Sequence, residues 1–232
     1  MTRMLVSVRS VDEALLAARG GADFIDLKEP REGALGGLPV ATIGAIVAAL
    51  RAHGIGLPVS ATIGDLPMHA LDRILAQVDA VGACGVDYVK VGVERGAGAP
   101  ALLDALAACG RPVVPVFIAD HGIDAGLVAH ACGLGFPALM ADTADKLAGS
   151  LFDAVPKAQL RGLLDQARAA GKLGGLAGAL RLAHLPLLRA LAPDFAGFRS
   201  AVCEGARHSA LSPPRLAKLA ALLHEEAAVA PA

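Results

Sequence analysis

The chain has 232 residues, of which 55% are hydrophobic and 19% are charged, and its formal net charge at pH 7 is −1. This composition excludes a disordered tail protein, and the near-neutral charge with only 3% aromatic residues argues against a nucleic-acid-binding surface. The mean hydropathy is +0.56, yet the apolar run Val40–Leu50 is shorter than the ~18–20 residues of a bilayer span.

Short β-rich runs alternate with longer Ala/Leu-rich segments along the whole chain. The longer segments carry apolar residues at helical spacing, as at Val11, Ala14, Leu15 and Ala18. Strands are predicted at Met4–Ser7, Phe24–Leu27, Val59–Thr62, Tyr88–Val91, Val113–Ile118, Ala138–Ala141, Lys172–Leu176 and Phe195–Phe198. Strands that alternate with helices predict a parallel α/β sheet, and eight of them predict a closed (β/α)8 TIM barrel. A doubly wound open sheet that lacks the weaker strands, chiefly the seventh, is the alternative.

No break in composition divides the chain. We therefore predict one domain over residues 1–232, with a frayed tail from about residue 227. The N-terminus lacks a signal-peptide core, and the cysteines form no CxxC pair. Their wide spacing is typical of reduced core residues in a cytoplasmic protein.

Charged residues lie where the active site of such a barrel is expected, at the carboxyl ends of the strands. Asp26 and Lys28 end the second predicted strand and share one of its faces. Lys90 lies on the inward face of the fourth strand. Asp142 follows the sixth strand, and Lys146 could meet it if that segment begins a helix.

Lysine at these positions is chemically informative because arginine cannot act as an amine nucleophile or as a base. Ammonium groups that converge on one mouth repel one another, which favours the free amine that forms a Schiff base with a carbonyl. Aspartates beside them offset the charge and can act as acid or base. The alternative interpretation is that these residues form structural ion pairs at strand ends.

Phosphate-binding groups are predicted after the last two strands, where barrel enzymes often bind phosphate with backbone N–H groups. Gly178 belongs to a glycine-rich stretch at the seventh strand, and Arg199 and Ser200 follow the eighth. The long loop Glu29–Gly37 after the second strand is a candidate lid. Plain turns are the alternative for both segments.

Three further polar residues are predicted to face the substrate. Ser60 and Thr62 lie on the third strand, and Asp120 precedes His121 at the end of the fifth. The histidines show no HxH, HxxxH or HExxH spacing, so we expect no metal site. No Walker loop or convincing dinucleotide fingerprint is present, so we expect no nucleotide cofactor.

Several longer strings resemble one family, (5-formylfuran-3-yl)methyl phosphate synthase, also called 4-(hydroxymethyl)-2-furancarboxaldehyde-phosphate synthase. The resemblance extends from Leu5 to about Ser209. The strings are GGADFIDLKEPREGALGG, VSATIGDLP, GVDYVKVGV, MADTADK and FRSAVCEGARHS.

This resemblance implies a fold akin to class I aldolases and a lyase that condenses two molecules of glyceraldehyde 3-phosphate, with loss of phosphate and water. The product would enter the biosynthesis of methanofuran-type one-carbon carriers. By position in the motifs, Lys28 matches the Schiff-base lysine and Lys90 the proton-transfer lysine. Asp26, Asp142 and Lys146 match the remaining charged residues of the site.

Two other functions stay open from the sequence. One is another Schiff-base aldolase or isomerase of triose phosphates on the same barrel. The other is a non-catalytic barrel that binds a phosphorylated metabolite. A phosphorylated triose is the expected partner, with no nucleic acid and no membrane, and the sequence is compatible with a homo-oligomer.

Overall fold

The computed structural model describes residues 1–33, 35–145 and 148–224. Its parallel strands close into a barrel in the order β1 to β8, each hydrogen-bonded to the next and β8 to β1. They are β1 (Arg3–Val8), β2 (Phe24–Leu27), β3 (Val59–Thr62), β4 (Tyr88–Val93), β5 (Val113–Ile118), β6 (Ala138–Asp142), β7 (Leu173–Leu176) and β8 (Phe195–Phe198).

Helices connect the strands on the outside of the barrel. They are α1 (Val11–Arg19), α2 (Val40–Ala52), α3 (Leu71–Gly82), α4 (Ala99–Ala108), α5 (Ala125–Gly133), α6 (Leu151–Ala154), α7 (Lys157–Ala169), α8 (Leu185–Leu191) and α9 (Pro213–His224). Two short 3-10 turns, Leu182–His184 and Ser200–Val202, follow β7 and β8. The predicted single (β/α)8 barrel is confirmed, and the open-sheet alternative is wrong. The predicted tail at residues 227–232 lies outside the described residues.

Two apolar layers hold the barrel together. The outer layer packs helices against the outward faces of the strands, and Leu27 belongs to it, as alternation along the second strand predicts. The inner layer fills the barrel with side chains that include Leu5, Phe24, Met140 and Phe195. The floor of the barrel is therefore a packed core, and polar chemistry is confined to its mouth.

Glycines in β7 make room for this packing. A Cβ on Gly174 would lie 2.7 Å from Leu164, and one on Gly175 would lie 2.1 Å from the ring of Phe195. These two residues belong to a buried strand. Of the three glycines in this stretch, Gly178 is the one that lines the mouth cavity.

Among the described residues, no helix is both long and apolar enough to cross a membrane.

Candidate active site

Four buried charged side chains form two ion pairs at the mouth of the barrel. The Lys90 Nζ atom donates a hydrogen bond of 2.8 Å to Asp26 Oδ1. The Lys28 Nζ atom lies 3.4 Å from Asp142 Oδ2. Each residue exposes 6% of its surface or less. Because an isolated buried charge is strongly unfavourable, these charges stabilise one another only while both pairs are intact.

The strand register explains why Asp26 lies at the centre of this cluster. Ser7 of β1 and Ser60 of β3 are the register partners of Asp26, so three inward side chains line up across three strands. Ser60 Oγ donates to Asp26 Oδ1 at 2.7 Å, and Ser7 Oγ donates to Oδ2 at 3.0 Å. With Lys90, strands β1, β3 and β4 all contact this one carboxylate.

The charge state of Asp26 follows from two opposed effects. Burial by itself raises the pKa of Asp26. The attraction of Lys90 and Lys28, with the hydrogen bonds from Lys90 and Ser60, outweighs burial and holds the pKa below its ordinary value. Asp26 is therefore an ionised acceptor at neutral pH and the electrostatic anchor of the cluster.

A small cavity of about 50 Å³ opens above the pairs. Its volume corresponds to one or two water molecules, whereas ligand pockets usually measure ~300 Å³ or more. A phosphorylated triose therefore enters only if side chains at the mouth move. The predicted site residues that line this cavity are Asp26, Lys28, Lys90, Asp142, Gly178, Arg199 and Ser200.

Arg199, which was predicted among the phosphate-binding residues, lines the cavity, but its guanidinium is bound elsewhere. Its guanidinium forms a fork with Glu13, at 2.5 Å and 3.0 Å, and donates to the carbonyls of Ser7, Arg207 and Ser209. These bonds occupy the five N–H groups that an arginine carries. Arg199 is thus a structural cation that joins β8 to α1, and its side chain has no donor left for a phosphate.

Three other side chains that were predicted to face the substrate form hydrogen bonds with nearby backbone groups or with Asp26. Thr62 Oγ1 donates to the carbonyl of Gly36 at 2.8 Å and so ties β3 to the loop after β2. Asp120 accepts the backbone N–H groups of Ala144 and Asp145. Neither side chain lines the cavity, and Ser60 is hydrogen-bonded to Asp26 beneath it.

Lys146 was predicted to meet Asp142 if a helix began directly after β6. Residues 143–145 form no helix. This segment is irregular, and it is held by Asp120 and by the bond from Thr143 N to Asp142 Oδ1. Lys146 itself lies outside the described residues.

The loop Glu29–Gly37, the candidate lid, lies beside the cavity, which Pro30 lines, and Ala34 lies outside the described residues. Leu35 inserts into the inner apolar layer and is 1% exposed. Its backbone N–H donates to Asp65 Oδ1, and the N–H of Glu29 donates to Gly36 O. These contacts anchor the described part of the loop against the barrel.

Sequence reasoning missed two residues of this site. Ser7 ends the first predicted strand, so the strand-end rule that found Asp26 could have found it as well. Arg207 lines the cavity from the loop after β8, and Nη2 lies 3.5 Å from Gly33 O. Burial lowers the pKa of Arg207, the attraction of Asp142 opposes this shift, and the repulsion of Arg199 adds to it. The sequence of an irregular loop carries no periodic pattern, so it does not predict that the Arg207 side chain reaches the cavity.

Within the described residues, no three His, Cys, Asp or Glu side chains come together in a way that could hold a metal ion. The side chains that line this mouth include two amines and two carboxylates, and this set suits capture of a carbonyl and transfer of protons.

Comparisons with known proteins point to one family. Residues 4–220 match the family model described as 4-HFC-P synthase. The (5-formylfuran-3-yl)methyl phosphate synthase of Archaeoglobus fulgidus is 33% identical over 96% of this chain and 99% of its own. The protein of that name from Methanocaldococcus jannaschii is 34% identical over 87% of this chain and 90% of its own.

Solved structures show the same fold at low identity. Phosphoribosyl anthranilate isomerase from Thermus thermophilus superposes with a TM-score of 0.66 at 20% identity, over 97% of this chain and 100% of that one. A 3-hexulose-6-phosphate synthase superposes with a TM-score of 0.59 at 21% identity, over 94% and 99%.

Proposed function

The chain belongs to the 4-HFC-P synthase family, and we propose that it condenses two molecules of glyceraldehyde 3-phosphate into (5-formylfuran-3-yl)methyl phosphate through a Schiff base on Lys28. The atoms balance with loss of one phosphate and two waters, so no oxidant or reductant is needed. The observation that carries the proposal is the pairing of two buried lysines with two buried aspartates at one mouth.

Lys28 is the better nucleophile of the two lysines. Its amine is held by one long hydrogen bond of 3.4 Å, whereas Lys90 is held at 2.8 Å. An amine must leave its carboxylate and lose a proton before it attacks a carbonyl, and the looser pair opposes this less. Asp142 stays beside the iminium that forms and balances its charge.

The later steps need a base and a proton donor. The iminium on Lys28 makes the adjacent carbon acidic, and Lys90 or a carboxylate removes that proton. The resulting enamine expels phosphate from the carbon next to it and leaves a three-carbon enol iminium on Lys28. Proton transfers convert the second triose phosphate into its ketone isomer, and the terminal enol carbon attacks that ketone, which forms the new carbon–carbon bond. Ring closure, loss of two waters and hydrolysis of the imine then give the aromatic furan aldehyde.

The same features support assignment as a lyase that needs no metal or nucleotide, because the imine itself stabilises the developing carbanion. Methanofuran-type cofactor biosynthesis is the route we propose for the product.

The test is incubation of the purified protein with glyceraldehyde 3-phosphate. We expect an ultraviolet furan chromophore, the product mass and one equivalent of free phosphate. Borohydride added during turnover should attach the substrate carbon skeleton to the peptide that contains Lys28. If only an isomerised triose or an acyclic sugar appears, the protein is instead an isomerase or aldolase.

The matched control for trapping is Lys28→Arg, which keeps the positive charge. We expect no adduct on that variant. A Lys28→Arg protein that is trapped as efficiently as the wild type would exclude Lys28 as the site of the imine.

A further inference from the structure

The strongest unassigned feature is a groove on the outer rim, beside the cavity. We call it the basic groove, and it has a volume of about 920 Å³. Cationic side chains and one histidine from the loops after β2, β7 and β8 and from α9 line it: Arg31, Arg181, Arg207, His208, Arg215 and Lys218. None of the described residues that line it is acidic.

The cations of the groove are available to a ligand. Arg31, Arg181 and Lys218 are exposed, and within the described part of the chain none of them forms an ion pair. Arg215 and Lys218 lie three residues apart on α9 and so lie on one side of it. Phosphate monoesters are doubly charged near neutral pH, so several unpaired cations in one concave surface favour them.

The interior cavity, in contrast, has little to offer a phosphate. Lys28 and Lys90 are paired with carboxylates, and the donors of Arg199 are fully used. Arg207 is the remaining cation among the described residues that line the cavity, and its side chain makes one weak contact of 3.5 Å. Arg207 also lines the basic groove, so the two spaces adjoin there.

A second hollow at the mouth carries mostly the other sign of charge, although its Asp153 also interacts with Arg181 of the groove. The hollow after β4, β5 and β6 is lined by Glu94, Asp120, Asp145 and Asp153, with Arg95 and His121 beside them. An anion that approaches the mouth is therefore attracted towards the basic groove and repelled from this hollow.

We propose that the basic groove binds the phosphate of the second, acceptor triose phosphate, and that Arg207 links the groove to the interior cavity. This inference rests on the proposed function, since a condensation of two phosphorylated molecules has two phosphates to place. The carbonyl of the acceptor then points inward to the nucleophilic carbon held on Lys28, while its charged end stays on the rim.

The binding test uses sn-glycerol 3-phosphate, which has the phosphate ester and no carbonyl and so cannot form an imine. Titration is followed calorimetrically for the wild type and for the double variant Arg181→Gln/Lys218→Gln. We expect the variant to bind about 5- to 10-fold more weakly, as expected from the loss of two exposed charge contacts. Unchanged affinity would overturn the proposal.

The matched control is Arg73→Gln/Lys157→Gln, which removes the same total charge from exposed positions on α3 and α7. We expect its affinity to stay within about 2-fold of the wild type. If the control loses as much affinity as the groove variant, the effect is that of net charge and the groove is not a site.

Kinetics separate this inference from the proposed function. With glyceraldehyde 3-phosphate, the groove variant should show a 5- to 10-fold higher KM and a kcat within about 2-fold, because the buried lysines are untouched. If the groove variant forms furan with an unchanged KM, the groove is not a substrate site and the proposed reaction still stands. Weaker glycerol 3-phosphate binding without any furan product would reject the proposed reaction and retain the groove.

Discussion

The two buried lysine–aspartate pairs are alike in composition and unlike in how tightly they are held. Asp26 accepts hydrogen bonds from Lys90, Ser60 and Ser7, which come from three strands. Lys28 has Asp142 as its hydrogen-bond partner among the described residues, at 3.4 Å. In the proposed mechanism the tighter pair fixes the charge of the site, and the looser pair releases the amine that reacts.

The largest effect is expected at the looser pair. Lys28→Arg keeps the charge opposite Asp142 and removes the primary amine, so kcat should fall by at least about 10⁴-fold. Product formation is measured from the furan absorbance. A variant that retains a tenth of wild-type activity would show that the looser pair is not the reactive one.

A smaller loss of activity is expected at the tighter pair. Lys90→Arg keeps the cation beside Asp26 and removes a group that can transfer protons, so kcat should fall by about 10²- to 10⁴-fold. Borohydride trapping on Lys28 should persist in this variant, which distinguishes loss of proton transfer from loss of binding. Near-normal turnover would remove the proposed role of Lys90.

The tighter pair should matter more for stability. Asp26→Asn leaves Lys90 buried without its counter-charge, and the free energy of unfolding should fall by about 3–5 kcal/mol at pH 7. The measurement is urea denaturation followed by circular dichroism. A decrease below about 1 kcal/mol would show that Asp26 is not the anchor of the cluster.

The pH dependence of that difference has a definite sign. The pKa of Asp26 is lower in the folded chain than its ordinary value of about 4. The stabilisation is therefore fully present above pH ~4 and is lost as the pH falls through the folded pKa. Wild type and Asp26→Asn should converge in stability under strongly acidic conditions.

The smallest effect tests the hydrogen bonds that hold Asp26. Ser60→Ala removes the donor at 2.7 Å and should lower the free energy of unfolding by about 1 kcal/mol, with Ser7→Ala lowering it less because its bond is longer, at 3.0 Å. Equal effects, or the reverse order, would argue against the register-based account of the site.

Sequence reasoning located most of the strands because each barrel strand is a short, apolar, β-rich run between glycine-containing turns. The predicted and observed limits coincide at Phe24–Leu27, Val59–Thr62, Val113–Ile118 and Phe195–Phe198. The strand-end rule also brought together Asp26, Lys28, Lys90 and Asp142. Local pattern and side-chain alternation suffice for these positions.

The same reasoning was less successful where a side chain forms hydrogen bonds with residues that are distant in the sequence. Arg199 was expected to meet phosphate, but Glu13 from the first helix binds its guanidinium. Thr62 was expected to face substrate, but its hydroxyl donates a hydrogen bond to the carbonyl of Gly36. Such contacts depend on how the barrel closes, and a pattern within one segment does not encode them.

The bond between Arg199 and Glu13 also has a consequence for synthesis on the ribosome. Glu13 and Arg199 lie 186 residues apart in the chain, and β8 closes the barrel against β1. A nascent chain therefore carries Glu13 with its near neighbour Arg9 but without Arg199 until almost the whole protein has been translated. The rim where the reaction is proposed to occur is completed last, so premature termination yields no partly competent enzyme.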